Sequence, residues 1–399
     1  MLTADQLLAE LLLRARERTD TETVATESCL GRILATDLTS AITVPPLDNS
    51  AMDGYAVRAA ECIAGALLPV SQRIPAGQVG NALLSGTVAR IFTGAPIPVD
   101  ADAVIMQEHC SVEGDSIRIN RTVKAGENIR RAGEDINAGD TALTASTRLS
   151  AAHMGLAASV GYAALPVYTR LKIASFSTGD ELVQPGSPLT AGKIYNSNRY
   201  TIAGLIATLD CDWIDLGSIP DTLDATLAAL KQASQVADVI ITSGGVSVGE
   251  EDHVKAAVAQ LGQIDLWKVA MKPGKPLAYG RIAEADFIGL PGNPVSAFAT
   301  FSLFARPFIL KRMGAKDFLP SIYKVRAASA WTKVGDRREF LRARAQVGVD
   351  GVLAATLFPN QSSGVLTSTT WANGFIDLEI GQTIAIGDMI NFIPFNELH

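Results

Sequence analysis

The chain has little of what organises metal-bound or cross-linked folds: 4 Cys and 4 His among 399 residues. Cys29, Cys62, Cys110 and Cys211 are far apart and none sits in a CxxC, while His109, His153, His253 and His399 form no HExxH. A disulfide framework and a structural zinc site are therefore disfavoured. A basic surplus is also missing, since 34 Lys+Arg face 41 Asp+Glu for a formal net charge of -7. That balance speaks against nucleic acid or an anionic membrane as partner, and leaves room only for local basic clusters. No apolar run reaches the ~18 residues of a membrane span. The start carries Asp5 and Glu10 where a signal peptide would be basic and then apolar. It reads instead as an amphipathic helix with Leu7, Leu8, Leu11 and Leu12 on one face. The expected compartment is the cytoplasm.

What is present suffices for real cores: 48% of residues are hydrophobic and 19% charged. The length predicts two to four domains. Residues 1–48 read as a helix, a turn and short strand-like pieces, closed by Val44-Pro45-Pro46, a helix-breaking extended segment. Residues 49–136 alternate short β-like runs (YAVRA, LPVSQRI, TVARIFTG, DAVIMQEH, SIRIN) with turn clusters, which predicts a small, mostly antiparallel β domain. Residues 137–167 return to helix through SAAHMGLAASVGYAAL and join residues 1–48 as a helical linker domain. Residues 168–315 alternate apolar β runs (LKIASFS, WIDLGSI, ADVIITSGG, WKVAM, DFIGLPG) with helical patterns. The expectation is a doubly wound, mainly parallel α/β domain. Residues 316–399 are β again and predict a small barrel or sandwich.

Ligands of an open α/β sheet bind beyond the carboxyl ends of its strands. Four loops there carry candidate chemistry. Thr242 to Asp252 (TSGGVSVGEED) follows one strand and opens a helix, so Ser243, Gly244, Gly245 and Ser247 read as a phosphate cradle or an ordinary β-to-α turn. It is neither GxGxxG nor GxxxxGK[ST], so dinucleotide and P-loop readings lose support. Pro291, Gly292, Asn293, Pro294 and Ser296 form a second anion-capable loop at a helix start. Lys268, Lys272 and Lys275 lie on a proline-stiffened segment suited to a phosphate or a tetrahedral metalate, or else make a solvated basic turn. Asp180 and Glu181 end another strand, on the same edge as Asp221 and Asp252. Carboxylates beside phosphates suggest a hard cation, most often Mg²⁺. Asp221 also reads as the cap of the following helix.

Outside that domain, DNSAMDGYAV (48–57), FTGAP (92–96) and NIRRAGED (128–135) are polar runs that by pattern alone are turn chemistry. Together with FSTGDEL, IITSGGVSVGEEDHV, KPGKPLAYG and GLPGNPVSA, they make the chain resemble, over nearly its whole length, the molybdopterin molybdenumtransferases of MoeA type, to which the E domain of gephyrin is also similar. The resemblance implies a molybdopterin-binding α/β domain at 168–315, a helical linker at 1–48 plus 137–167, a small β domain at 49–136 and a C-terminal β-barrel at 316–399. It implies insertion of molybdenum from molybdate into adenylylated molybdopterin with release of AMP, Mg²⁺ as cofactor, a homodimer, and contact with the adenylyltransferase of the same pathway. By motif correspondence it implies catalytic roles for Asp53, Thr93, Asp135, Glu181, Asp221 and Asp252, with Asp252 and Glu181 at the metal. The 243–247 loop would hold phosphates; Lys272, Lys275, Ser296, Arg337 and Ser363 would hold molybdate. The chain departs from the family pattern at Asp221, which lacks a paired Asp, and at Ser362, where Gly is usual. The alternatives are the adenylyltransferase, whose loop usually reads GGTG and which lacks the flanking β domains, a gephyrin-like scaffold, and a nucleotide-amide hydrolase built on the same α/β module.

Overall fold

Strands that are apolar on both faces belong in the middle of a sheet covered on both sides. In the computed structural model, which describes residues 1–245 and 253–398, Val239–Ser243 and Ala285–Leu290 are buried throughout. They are adjacent in a six-stranded sheet whose order is 212–219, 172–178, 239–243, 285–290, 276–282, 262–268. The first four strands run parallel. The last two, Pro276–Ile282 and Gly262–Lys268, are antiparallel. The sequence pattern suggests strand WKVAM, puts Lys272 to Pro276 on a stiff loop and leaves the rest of PLAYGRI unassigned. PLAYGRI is a seven-residue strand, with Pro276 at its first position, where a missing N–H does least harm to a ladder.

Alternation sorts the side chains of this sheet into two cores. Ile173, Ile241 and Ile288 face a layer made by Ala4–Arg14, Ser197–Ala207 and the helix beginning at Pro294. Ala174, Ile240 and Phe287 face Leu223–Val236 and His253–Leu261. The domain is thus doubly wound. The N-terminal helix starts with a Thr3–Gln6 capping box and buries Ala4, Leu7 and Leu11. Its leucine stripe packs on the α/β sheet, where far more apolar surface is available than on the short strands that follow it. The rest of that segment meets residues 137–167 through two antiparallel pairings, Thr21–Ala25 with Ala164–Tyr168 and Leu38–Thr39 with Thr141–Leu143. Within 137–167 the helix is confined to Ala151–Ser159. Tyr162 follows a glycine turn and the chain then extends, so the helical expectation for YAAL is corrected.

Residues 49–136 form a six-stranded sheet. Neighbours are antiparallel except Leu67–Ile74 beside Val88–Ile91. The C-terminal region closes a five-stranded barrel from Tyr323–Ala327, Arg338–Val347, Leu353–Leu357, Gly374–Leu378 and Met389–Pro394. This decides between barrel and sandwich. Met271–Lys272 of the α/β domain adds to its wall, pairing in parallel with Arg338 and Glu339.

Barrel and α/β domain share one core. Phe298 packs on Phe375 and Phe395 with ring centroids 6.0 and 5.1 Å apart, and Phe375 on Phe395 at 4.9 Å. Each such pair adds about 0.5–1.5 kcal/mol beyond burial. Away from this seam, buried Asp286 accepts from Tyr279 Oη at 2.7 Å and from Arg312 Nε at 2.9 Å. Losing one partner of a buried pair costs about 3–5 kcal/mol.

Candidate active site

Strand order reverses direction between Lys172–Thr178 and Val239–Ser243, and such switch points are where open α/β sheets bind ligands. A cavity of about 740 Å³ opens there. Its walls include Thr178, Glu181, Ser243, Gly244 and Gly245 from the ends of those strands, and Pro291, Gly292, Asn293, Pro294 and Ser296 from the end of the next. Lys272 and Lys275 come from the proline-stiffened loop, and Arg337 and Ser363 from the barrel. All four loops singled out from the sequence thus meet in one place, joined there by residues of the barrel.

The glycines are required by space and by backbone. Gly244 and Gly245 have φ of +88° and +66°. A Cβ on Gly245 would lie 2.3 Å from Val254 Cγ2, so both sit where a side chain is strained. Below them Ser177 and Ser243 share a hydrogen bond of 3.0 Å between hydroxyls. Asn293 is the N-cap of Pro294–Thr300, with Pro294 at its first turn. The amide of Val295 donates to the carbonyl of Ser363 at 3.0 Å, which ties the barrel loop to this helix start. Asn198 donates from Nδ2 to the carbonyl of Gly292 at 2.8 Å and so holds the PGNP loop.

Each cation is placed differently. Lys272 donates to Glu339 Oε1 at 2.9 Å. Arg337 donates to the carbonyl of Met271 at 3.3 Å. Lys275 is exposed, and its carbonyl accepts from Val269. No described acid pairs with Lys275. Lys268 is on the edge strand, exposed and outside the cavity wall; its backbone stands opposite Pro276, next to Lys275, but unlike Lys272 and Lys275 it does not line the cavity.

The carboxylates divide. Glu181 lines the cavity. Asp180 Oδ1 accepts from the amide of Asp221 at 3.3 Å, so those two acids are neighbours. Asp221 is off the cavity wall and does not cap the helix; Thr222 does, accepting from Ala225. Ser247 and Asp252 lie outside the described residues. Among the described residues no group of three His, Cys, Asp or Glu is assembled for a metal. Glu181 is the carboxylate on the wall that suits a hard cation, and one carboxylate with substrate phosphate oxygens is a common Mg²⁺ setting.

Asp53, Thr93 and Asp135 are not on the cavity wall of their own chain. Asp53 and Thr93 do meet: Asp53 Oδ1 accepts from the amide and the hydroxyl of Thr93, both at 2.8 Å. Those two donors, with Arg90 nearby, hold the Asp53 carboxyl below its ordinary range. Asp135 is exposed, with its amide bonded to Val44.

Sequence reasoning gave no role to Thr178, left Ser362 open against Ser363, and missed Asn198 and Gln361 on the wall and Arg342 behind it. Arg342 is 1% exposed. It donates to Ser368 Oγ at 3.0 Å and to the carbonyl of Ser362 at 3.0 Å. Burial pushes its guanidinium down to about 10. The signal was an arginine at an apolar position of a barrel strand, between Leu341 and Ala343.

Family models match the chain in three consecutive stretches: the MoeA N-terminal region at residues 2–161, a molybdopterin-binding domain described as probable at 174–311, and the MoeA C-terminal region at 324–395. A protein of Haemophilus influenzae called molybdopterin molybdenumtransferase is 40% identical over 402 residues, covering 100% of both chains. One of the same description from Nostoc is 37% identical, covering 94% of this chain and 89% of its own. The crystal structure of a molybdopterin biosynthesis MoeA protein from Pyrococcus horikoshii OT3 aligns with a TM-score of 0.82 at 27% identity, over 99% of this chain and 100% of that one. The fold and the order of its parts are those of a multidomain molybdopterin-handling transferase. The chain belongs to the molybdopterin molybdenumtransferase family.

Proposed function

We propose that the cavity receives molybdate and adenylylated molybdopterin, and that molybdenum passes into the dithiolene as AMP leaves. The observation that carries this reading is the convergence of Lys272, Lys275, Arg337, Ser296, Ser363 and the Gly244–Gly245 turn on one wall. Bringing a phosphorylated pterin beside a dianion is opposed by repulsion. Two unit charges ~4 Å apart repel by about 4 kcal/mol at an effective dielectric of 20. Fixed cations and backbone N–H groups offset this without reorganising.

In this reading the 243–247 loop holds phosphate oxygens. Lys272, Lys275, Arg337, Ser296 and Ser363 hold the tetrahedral oxyanion, so that the dithiol approaches the metal already oriented; two Mo–S bonds form as one Mo–O bond breaks, and that oxygen leaves as water with the two thiol protons. Glu181 and Asp252 would hold Mg²⁺, which supplies neutralisation of the phosphate oxygens when bound. Asp53, Thr93 and Asp135 would act from a second copy of the chain in a homodimer. Location in the cytoplasm and contact with the adenylyltransferase of the same pathway belong to the same reading. Among the described residues no helix is long and apolar enough to cross a membrane.

The test is a single assay. Purified protein with adenylylated molybdopterin, Mg²⁺ and molybdate should release AMP in proportion to molybdate. AMP release that ignores molybdate, or none at all, overturns the proposal.

A further inference from the structure

Lys272 reaches the cavity from a loop, yet its ammonium is anchored from behind by the barrel. Lys272 and Glu339 stand opposite each other in the parallel pairing of Met271–Lys272 with the barrel strand. Their side chains then join at 2.9 Å. Glu339 is 5% exposed, and its second oxygen accepts from Trp331 Nε1 at 2.9 Å. Both carboxylate oxygens are therefore committed, one to each neighbour.

The pair is lopsided. The carboxylate side chain is 6% exposed and the lysine side chain 42%. An ammonium has three N–H donors. One goes to Glu339, and Lys272 lines the cavity with donors to spare. A four-carbon stem loses much rotamer freedom when it grips a ligand. Here that freedom is spent on folding, before any anion arrives. Neighbouring Arg337 also lines the cavity and is held to the same two-residue strand through the carbonyl of Met271.

We propose that Glu339 is a positioning residue for oxyanion capture: buried in the barrel and braced by Trp331, it aims Lys272 into the cavity. The proposal rests on the reading of Lys272 as an oxyanion ligand and goes beyond it in assigning a barrel carboxylate, itself off the cavity wall, to an anion site.

The substitution Glu339→Gln keeps the shape but cannot accept from both Lys272 and Trp331, because one of its two ends is now a donor. Two readouts test it. In calorimetric titration with molybdate, Glu339→Gln should weaken binding about tenfold. In AMP release, the molybdate concentration for half-saturation should rise by a similar factor, while that for adenylylated molybdopterin moves less than roughly threefold. In a Lys272→Met background, Glu339→Gln should add nothing further, since the two act as one unit. Trp331→Phe, which removes only the brace, should shift molybdate alone and by less. Should Glu339→Gln fail to fold, Trp331→Phe decides.

Equal losses for both substrates, an additive effect on Lys272→Met, or unchanged molybdate binding would overturn the assignment. If the unsubstituted protein binds molybdate but releases no AMP, the proposed function falls while this inference is still read by the titrations. If it releases AMP and Glu339→Gln is silent, only this inference falls.

Discussion

The cavity between α/β domain and barrel and the polar turns of the 49–136 domain both carry candidate residues, yet the fold treats them differently. The cavity residues come from distant segments and converge. Asp53, Thr93 and Asp135 stay on their own domain, off that wall. The difference lies in how each is specified. Glu181 and the 243–245 and 291–296 residues sit beyond sheet-strand ends, where topology brings them to one edge, and docking of the barrel adds Arg337 and Ser363. The β-domain residues sit in turns that are complete by themselves, as the Asp53–Thr93 clasp shows. In the proposed reading their use depends on a second copy of the chain.

The comparison can be broken most forcefully at the aromatic seam. Phe375 is fully buried against Phe298, Phe340 and Phe395. Phe375→Ala should cost about 3–5 kcal/mol, read as a lowered melting temperature, with molybdate binding lost and amide protection in 49–136 retained. Loss of protection in both regions together would show that they do not fold as separate units.

Asp53→Ala comes next. It should cut turnover about a hundredfold while lowering the thermal transition only slightly, by the loss of the exposed Asp53–Thr93 clasp. A collapsed transition would make the residue structural instead. Mixing Asp53→Ala protein with Lys272→Met protein should restore part of the turnover if the β domain serves a second copy's cavity. No recovery in the mixed species counts against that arrangement.

Lys275→Ala should raise the molybdate requirement about tenfold, the scale of one charge-assisted hydrogen bond, with a smaller effect on the pterin nucleotide. Equal loss of both would contradict its assignment.

The smallest effect is on acid stability. Asp48 and Asp53 are both held below the ordinary carboxylate range, Asp48 first by the amide of Ala132 and Asp53 first by that of Thr93. A lowered folded pKa gives stability that is present above the unfolded value of about 4 and is lost as pH falls through the folded one. Melting curves from neutral pH down past 3 should therefore fall less steeply for an Asp48→Asn, Asp53→Asn double variant. Parallel curves would show these turns to be indifferent to charge.

Much of the architecture was legible from period and punctuation. VIITS and DFIGL announce doubly covered strands, and the glycine and proline loops after them announce the ligand edge. What was not legible is where polar groups serve the interior. PLAYGRI goes unassigned because it begins on the second proline of the stiff loop, and a proline is tolerated at the first residue of a strand. Asp221 looks like a cap, but Thr222 one residue on has the extended backbone and the reach to Ala225. Arg342 and Asn198 are buried by partners that no local pattern encodes: the Ser362 carbonyl for one, the Gly292 carbonyl for the other.

Two backbone rungs, Met271 with Arg338 and Lys272 with Glu339, stitch a loop of one domain into the staves of another. A corner sewn this way is no hinge. Swinging the barrel aside would first tear main-chain hydrogen bonds, each worth about 0.5–1.5 kcal/mol net. The amide of Arg338, bonded to the carbonyl of Ala270 at 2.9 Å, should therefore trade its proton with solvent among the slowest in the molecule.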